Sequence, residues 1–157
     1  MKEAFLFVLA GLDSIVNVLK VGLLGYSTDF KRIGGTTIVH LFLTDGRIMK
    51  IYSEMHDIDS WNEIGSLVFE MAEKVPNAPM IPLGDSWKQL ASVSKLVLER
   101  EQFVAESGIC LRSMADETPL VVTSANVETL AVQAPSLRDE FLPENDLSAY
   151  RYMPLEA

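Results

Sequence analysis

Thr36 to Leu43 and Ile48 to Tyr52 are two β-rich runs separated by Thr44-Asp45-Gly46-Arg47. Asp-Gly is favoured where a hairpin turn needs positive φ, so the runs are predicted to pair antiparallel. An antiparallel sheet is therefore the element around which the rest of the chain is read. At 157 residues the chain has the length of one ordinary domain. With 48% apolar and 22% charged residues it can bury a core and is not disordered by composition.

Glu3 to Ala10 and Ser14 to Leu24 are rich in Val, Ile, Leu and Phe and are parted by Gly11 and Asp13. They predict two opening strands. A helix over Asp13 to Leu23 is the rival, because Ile15, Val18 and Leu19 also sit at helical spacing. Gly25 to Gly35 is polar and carries glycine, and predicts a loop. Ile64, Leu67, Val68 and Met71 recur at i, i+3, i+4, i+7 behind Asp59 or Ser60 as a cap, predicting a helix to Lys74. Gly65 weakens that helix, and Leu67, Phe69 and Met71 alternate as a strand would. Pro76, Pro79 and Pro82 mark an extended connection. Ser92 to Ala105, Gly108 to Met114, Leu120 to Ser124 and Leu130 to Val132 predict a meander of four short strands, with Glu106-Ser107-Gly108 as its first turn. The acidic, proline-containing tail from about 135 to 157 is expected to lie across the sheet without an element of its own. The fold class is α+β: a mainly antiparallel β-sheet of hairpins and a meander, with one or two helices, in a single domain over 1–157.

Thirteen Lys and Arg against 22 Asp and Glu leave a net charge of -9. That sign opposes sequence-independent nucleic-acid binding and docking on anionic lipid. The longest apolar stretch, Phe5 to Leu12, is far short of the roughly 20 residues of a membrane-spanning helix. Lys2 precedes a short apolar run, and Val8-Leu9-Ala10 loosely mimics a cleavage site. Glu3 and the brevity of the run argue against a secretory signal. A lone Cys110 forms no intramolecular disulfide and fits a reducing cytosol.

With two histidines no multi-His metal cage can be built, and neither a metal nor a cofactor is expected. Asp57 and Asp59 match the first two positions of a calcium loop, but Trp61 takes the third and the glycine of the sixth is missing. No phosphate loop, dinucleotide fingerprint or nucleophile elbow is present. Glu54 and His56 would share a face if the strand from Ile48 continues, and Cys110 has Arg112 two residues on to lower its thiol pKa. Local spacing brings too few partners to either for a catalytic site, and a buried, inert cysteine is the simpler reading.

The charge layout is more distinctive. Residues 1–50 hold six bases and four acids, 51–100 four and eight, and 101–157 three and ten. No Lys or Arg falls between Ile51 and Glu73. Such a surface serves solubility and also speeds capture of a basic partner. Aromatic anchors inside a charged rim are the composition of an interface. The sequence therefore points to a non-enzymatic acidic binding protein with a basic protein partner. Its expected surface is Glu54, Asp57, Asp59, Trp61 and Glu63 with the tail acids Glu140, Glu144 and Asp146.

In composition alone, a small, acidic, cysteine-poor chain without catalytic motifs resembles the immunity or antitoxin-type proteins by which bacteria neutralise basic toxin domains. Two other readings stand beside it. One is a small-molecule or metal site near His56, Glu54 and Cys110; the other is self-association into a homodimer through unpaired edge strands.

Overall fold

The computed structural model describes residues 5–7, 18–29, 36–57, 63–100, 103–115, 118–124, 130–135 and 150–155. The described residues are nearly all β, in two sheets. The first runs β5-β4-β3-β2-β6, made of β2 (Leu23–Thr28), β3 (Ile38–Leu43), β4 (Ile48–Asp57), β5 (Glu63–Met71) and the two-residue β6 (Ile81–Pro82). The second runs β10-β9-β8-β7-β11, made of β7 (Leu90–Glu99), β8 (Phe103–Ser113), β9 (Leu120–Ser124), β10 (Leu130–Gln133) and β11 (Tyr150–Pro154). β1 (Phe5–Phe7) pairs parallel with β8.

The Asp-Gly hairpin forms as expected: β3 pairs with β4, and Gly46 stands at φ 91, where a side chain is disfavoured. Alternation then sorts the residues. Val39, Leu41, Leu43, Met49, Ile51, Leu67 and Phe69 point inward and meet Val93, Ile109, Leu111, Leu120, Val122, Leu130 and Val132 of the second sheet in one continuous core. Burying each large aliphatic side chain contributes about 1.5–3 kcal/mol. Trp87, in the 3-10 turn Asp85–Lys88 between β6 and β7, joins the same core at 1% exposure. It is therefore a packing residue and not a surface anchor.

Several expectations are overturned. The α+β class with one or two helices gives way to an all-β plan, with no helix of seven or more residues among the described ones. The segment expected as a helix to Lys74 is β5, paired with β4 from Met49 opposite Met71 to Asp57 opposite Glu63. The alternation of Leu67 and Phe69, not the helical spacing of Ile64, Leu67, Val68 and Met71, is the pattern that holds: Gly65, Leu67 and Phe69 are buried, and the β4 ladder supplies the backbone partners. The expected loop from Gly25 begins as strand: β2 runs to Thr28, because Tyr26 is fully buried between the sheets. Of the opening strands, the first is seen as β1, Phe5–Phe7; of the second, residues 14–17 lie outside the described residues, Val18 and Leu19 are helical as the rival reading had it, and β2 begins at Leu23.

In the meander, Glu106-Ser107-Gly108 is no turn. Glu106 makes an ion pair with Lys95 across the ladder, and Ser107 is the extra residue of a bulge between the pairs Leu96–Gly108 and Val97–Glu106. The reversal lies instead after Glu99, where Arg100 N donates to Phe103 O at 2.9 Å. The tail also acquires an element, β11, which pairs with the edge of β7 and is held by the Arg151–Glu99 ion pair. Pro154 is tolerated there because β11 is an edge strand.

Polar contacts stitch the two sheets together where β5 approaches β8 and β9. Ser107 Oγ donates to Gly65 O at 2.7 Å, and Ser53 Oγ lies 2.7 Å from Ser124 Oγ. Leu130 N donates to Thr36 O at 2.7 Å. Gly65 is glycine because a Cβ there would meet Ser124 Cβ at 2.8 Å and Ser53 Oγ at 3.0 Å.

Candidate functional site

The outward residues of β3, β4 and β5 form the chemically richest face. Register places His40 opposite Lys50, and Lys50 opposite Glu70, so the three make one row across three strands. Lys50 Nζ lies 3.4 Å from Glu70 Oε2 and 5.5 Å from the centre of the Tyr52 ring. Tyr52 OH donates to Glu70 Oε1 at 2.7 Å. That bond, followed by partial burial and the charges of Glu70 and Glu54, pushes the Tyr52 phenol above its ordinary value. The same bond outweighs the opposing effect of burial and, with a further contribution from Lys50, holds the Glu70 carboxyl below its own. Beside this row is a cleft of about 480 Å³, floored by His40, Lys50 and Glu70 and walled by the chain from Met71 to Asn77.

At the start of β3, Asp29 accepts hydrogen bonds from Thr37 N at 2.7 Å, Ile38 N at 2.9 Å and the Thr37 hydroxyl. Burial raises the Asp29 pKa, but these bonds outweigh it and the net direction is down. His40 is also shifted down, first by burial and then by Lys50, against a smaller upward pull from Asp29. The unfolded chain, at about 6.5, therefore takes up the His40 proton before the folded one does. Stability from this residue is complete above that pH and declines as pH falls through it. His40→Gln is expected to flatten the fall in urea midpoint between pH 7 and pH 5; an unchanged slope would place the acid sensitivity elsewhere.

Further along the same face β4 continues to Asp57, so Glu54 and His56 do share a side. His56 Nε2 lies 2.8 Å from Ser66 Oγ. Ser66 is 1% exposed, so this pair offers no open nucleophile. Cys110 stands elsewhere, on the outer face of the second sheet with Leu96 and Val121. His40 and His56 are on the other sheet. Burial raises its thiol pKa despite Arg112 nearby, which leaves it an unreactive thiol at neutral pH.

Of the residues expected to bind a partner, Glu54 is exposed on β4 opposite Ser66, and Asp57 and Glu63 are register partners on the last rung of the β4–β5 hairpin. Asp59, Trp61, Glu140, Glu144 and Asp146 lie outside the described residues. The described residues thus bring together Glu54, Asp57 and Glu63 on one hairpin, and do not place the tail acids beside them. Among the described residues no group of three or more His, Cys, Asp or Glu is arranged to hold a metal, and no helix is long and apolar enough to cross a membrane.

The sequence reading missed Lys50, Tyr52 and Glu70. The Asp-Gly turn already implied His40 opposite Lys50, but Glu70 joins the row only once β5 is a strand. No protein-family model, curated protein or solved structure matches this chain, so the face itself carries the functional reading.

Proposed function

We propose that the protein is a non-enzymatic binding protein whose β4–β5 hairpin captures a basic protein partner at its acidic end. The observation that carries this reading is the register of that hairpin. It ends with Asp57 opposite Glu63, three residues from the exposed Glu54, in a stretch without Lys or Arg between Ile51 and Glu73. The buried Ser66 beside His56 and the buried, high-pKa Cys110 speak against nucleophilic catalysis by either.

The reading is tested by immobilising the wild type and the variant Glu54→Lys, Asp57→Lys, Asp59→Lys, Glu63→Lys, and passing lysate of the source organism over both. A basic protein held at 50 mM salt, released at 500 mM and lost from the variant is the expected outcome, because exposed charges are screened within a few ångströms at high salt. Equal retention on both columns, with the variant still folded by circular dichroism, overturns the assignment.

A further inference from the structure

The cleft beside the His40–Lys50–Glu70 row is separate from the acidic hairpin end. Its floor has unused hydrogen-bond donors. The Lys50 ammonium has three N–H groups, and among the described residues its polar partner is Glu70 Oε2 at a long 3.4 Å. Neither ring nitrogen of His40 is hydrogen-bonded among the described residues, although the ring is half-buried against the strand row. Glu70 by contrast is committed, one oxygen to Tyr52 OH and the other to Lys50. The floor thus has donors to spare and its acceptor is occupied.

The wall is different in kind. Met71, Val75 and Pro76 line it, with Met71 at 38% and Val75 at 75% exposure, unusually open for large apolar side chains. Glu70 and the exposed Glu73 bring two carboxylates to the cleft and Lys50 and the exposed Lys74 two ammonium groups, so the lining is balanced in charge and the apolar wall, more than charge, separates an organic anion from a bare one.

We infer that this cleft binds a small organic monocarboxylate, its carboxylate on Lys50 Nζ and a His40 ring N–H and its apolar body against Met71, Val75 and Pro76. A volume of about 480 Å³ accommodates a ligand of about six to ten heavy atoms with room for water. The Lys50–carboxylate contact is a charge-assisted bond on a partly sheltered floor and supplies the affinity; the wall selects against bare anions.

The protein has two histidines, which makes the test direct. Hexanoate is titrated into the full chain at pH 7 while the ring C–H resonances of His40 and His56 are followed by NMR. His40 is expected to shift saturably, with half-saturation at millimolar concentration or below. His56, six residues further along β4 and so about 20 Å away, should stay in place. Hexanamide and inorganic phosphate should each bind at least tenfold more weakly than hexanoate. Lys50→Gln should weaken hexanoate at least tenfold, Lys50→Arg less than threefold, and Val75→Asp, at an exposed wall position that does not threaten folding, at least fivefold. The inference is overturned by any of three results: a response linear to 50 mM, equal movement of both histidines, or phosphate or hexanamide matching hexanoate. An unaltered titration in both Lys50→Gln and Val75→Asp overturns it as well.

Discussion

Substitution of Gly65 by alanine is expected to destabilise the protein by about 3 kcal/mol, at the upper end of what one added methyl does in a packed interior. The position has no slack. A Cβ there would meet Ser124 Cβ at 2.8 Å and Ser53 Oγ at 3.0 Å, and these two serines are bonded to each other at 2.7 Å. Rotating Ser124 aside breaks that buried bond, and moving β5 outward lengthens the bond from Ser107 Oγ to Gly65 O. A buried polar group left without its partner costs about 1–3 kcal/mol. The urea midpoint measures the loss. A double variant, Gly65→Ala with Ser124→Gly, should recover part of it, with a coupling of about 1–2 kcal/mol, since it removes the nearest atoms. If Gly65→Ala alone falls within 0.5 kcal/mol of wild type, β5 does not approach the second sheet as described.

Trp87→Ala should lower stability by about 3–5 kcal/mol, the range for removing a buried aromatic side chain. Trp87 is 1% exposed, and the short turn that carries it is tied to both sheets: Ser86 O accepts from Met114 N at 3.2 Å, and the Lys88 backbone sits against Gly22. Loss of the indole leaves a cavity at the junction of β2, β8 and the turn. For a chain of this size that corresponds to a fall of about 10–15 °C in melting temperature. Trp87→Phe, which keeps most of the apolar volume, should lose less than half as much. A melting temperature unchanged by Trp87→Ala would mean that the indole is not part of the core.

The same architecture explains why the candidate face is available for binding. Both sheets turn their aliphatic residues toward each other, so the outer positions of β3, β4 and β5 are released from packing. There the sequence places His40, Lys50, Tyr52, Glu54 and Glu70, and the antiparallel register draws residues far apart in the chain into rows. The hairpin end and the cleft lie toward opposite ends of β4. The two proposed sites therefore do not overlap.

Some of this was legible in the amino acids themselves. Asp45-Gly46 between two β-rich runs determined the central hairpin, because positive φ at Gly46 and alternation on either side are local properties. The lack of nucleophile, phosphate and calcium motifs, and the concentration of acid between Ile51 and Glu73, are likewise properties of the chain. Tertiary structure decided the rest. Whether Glu63 to Met71 became helix or strand rested on the backbone of β4, which offered a complete ladder of partners that local spacing cannot reveal. Glu106-Ser107-Gly108 has the composition of a turn, and became strand because Lys95 and Gly65 O, distant in sequence, satisfied its polar groups. The cleft is wholly a tertiary product: His40, Lys50 and Glu70 are ten and twenty residues apart, and only strand register makes them neighbours.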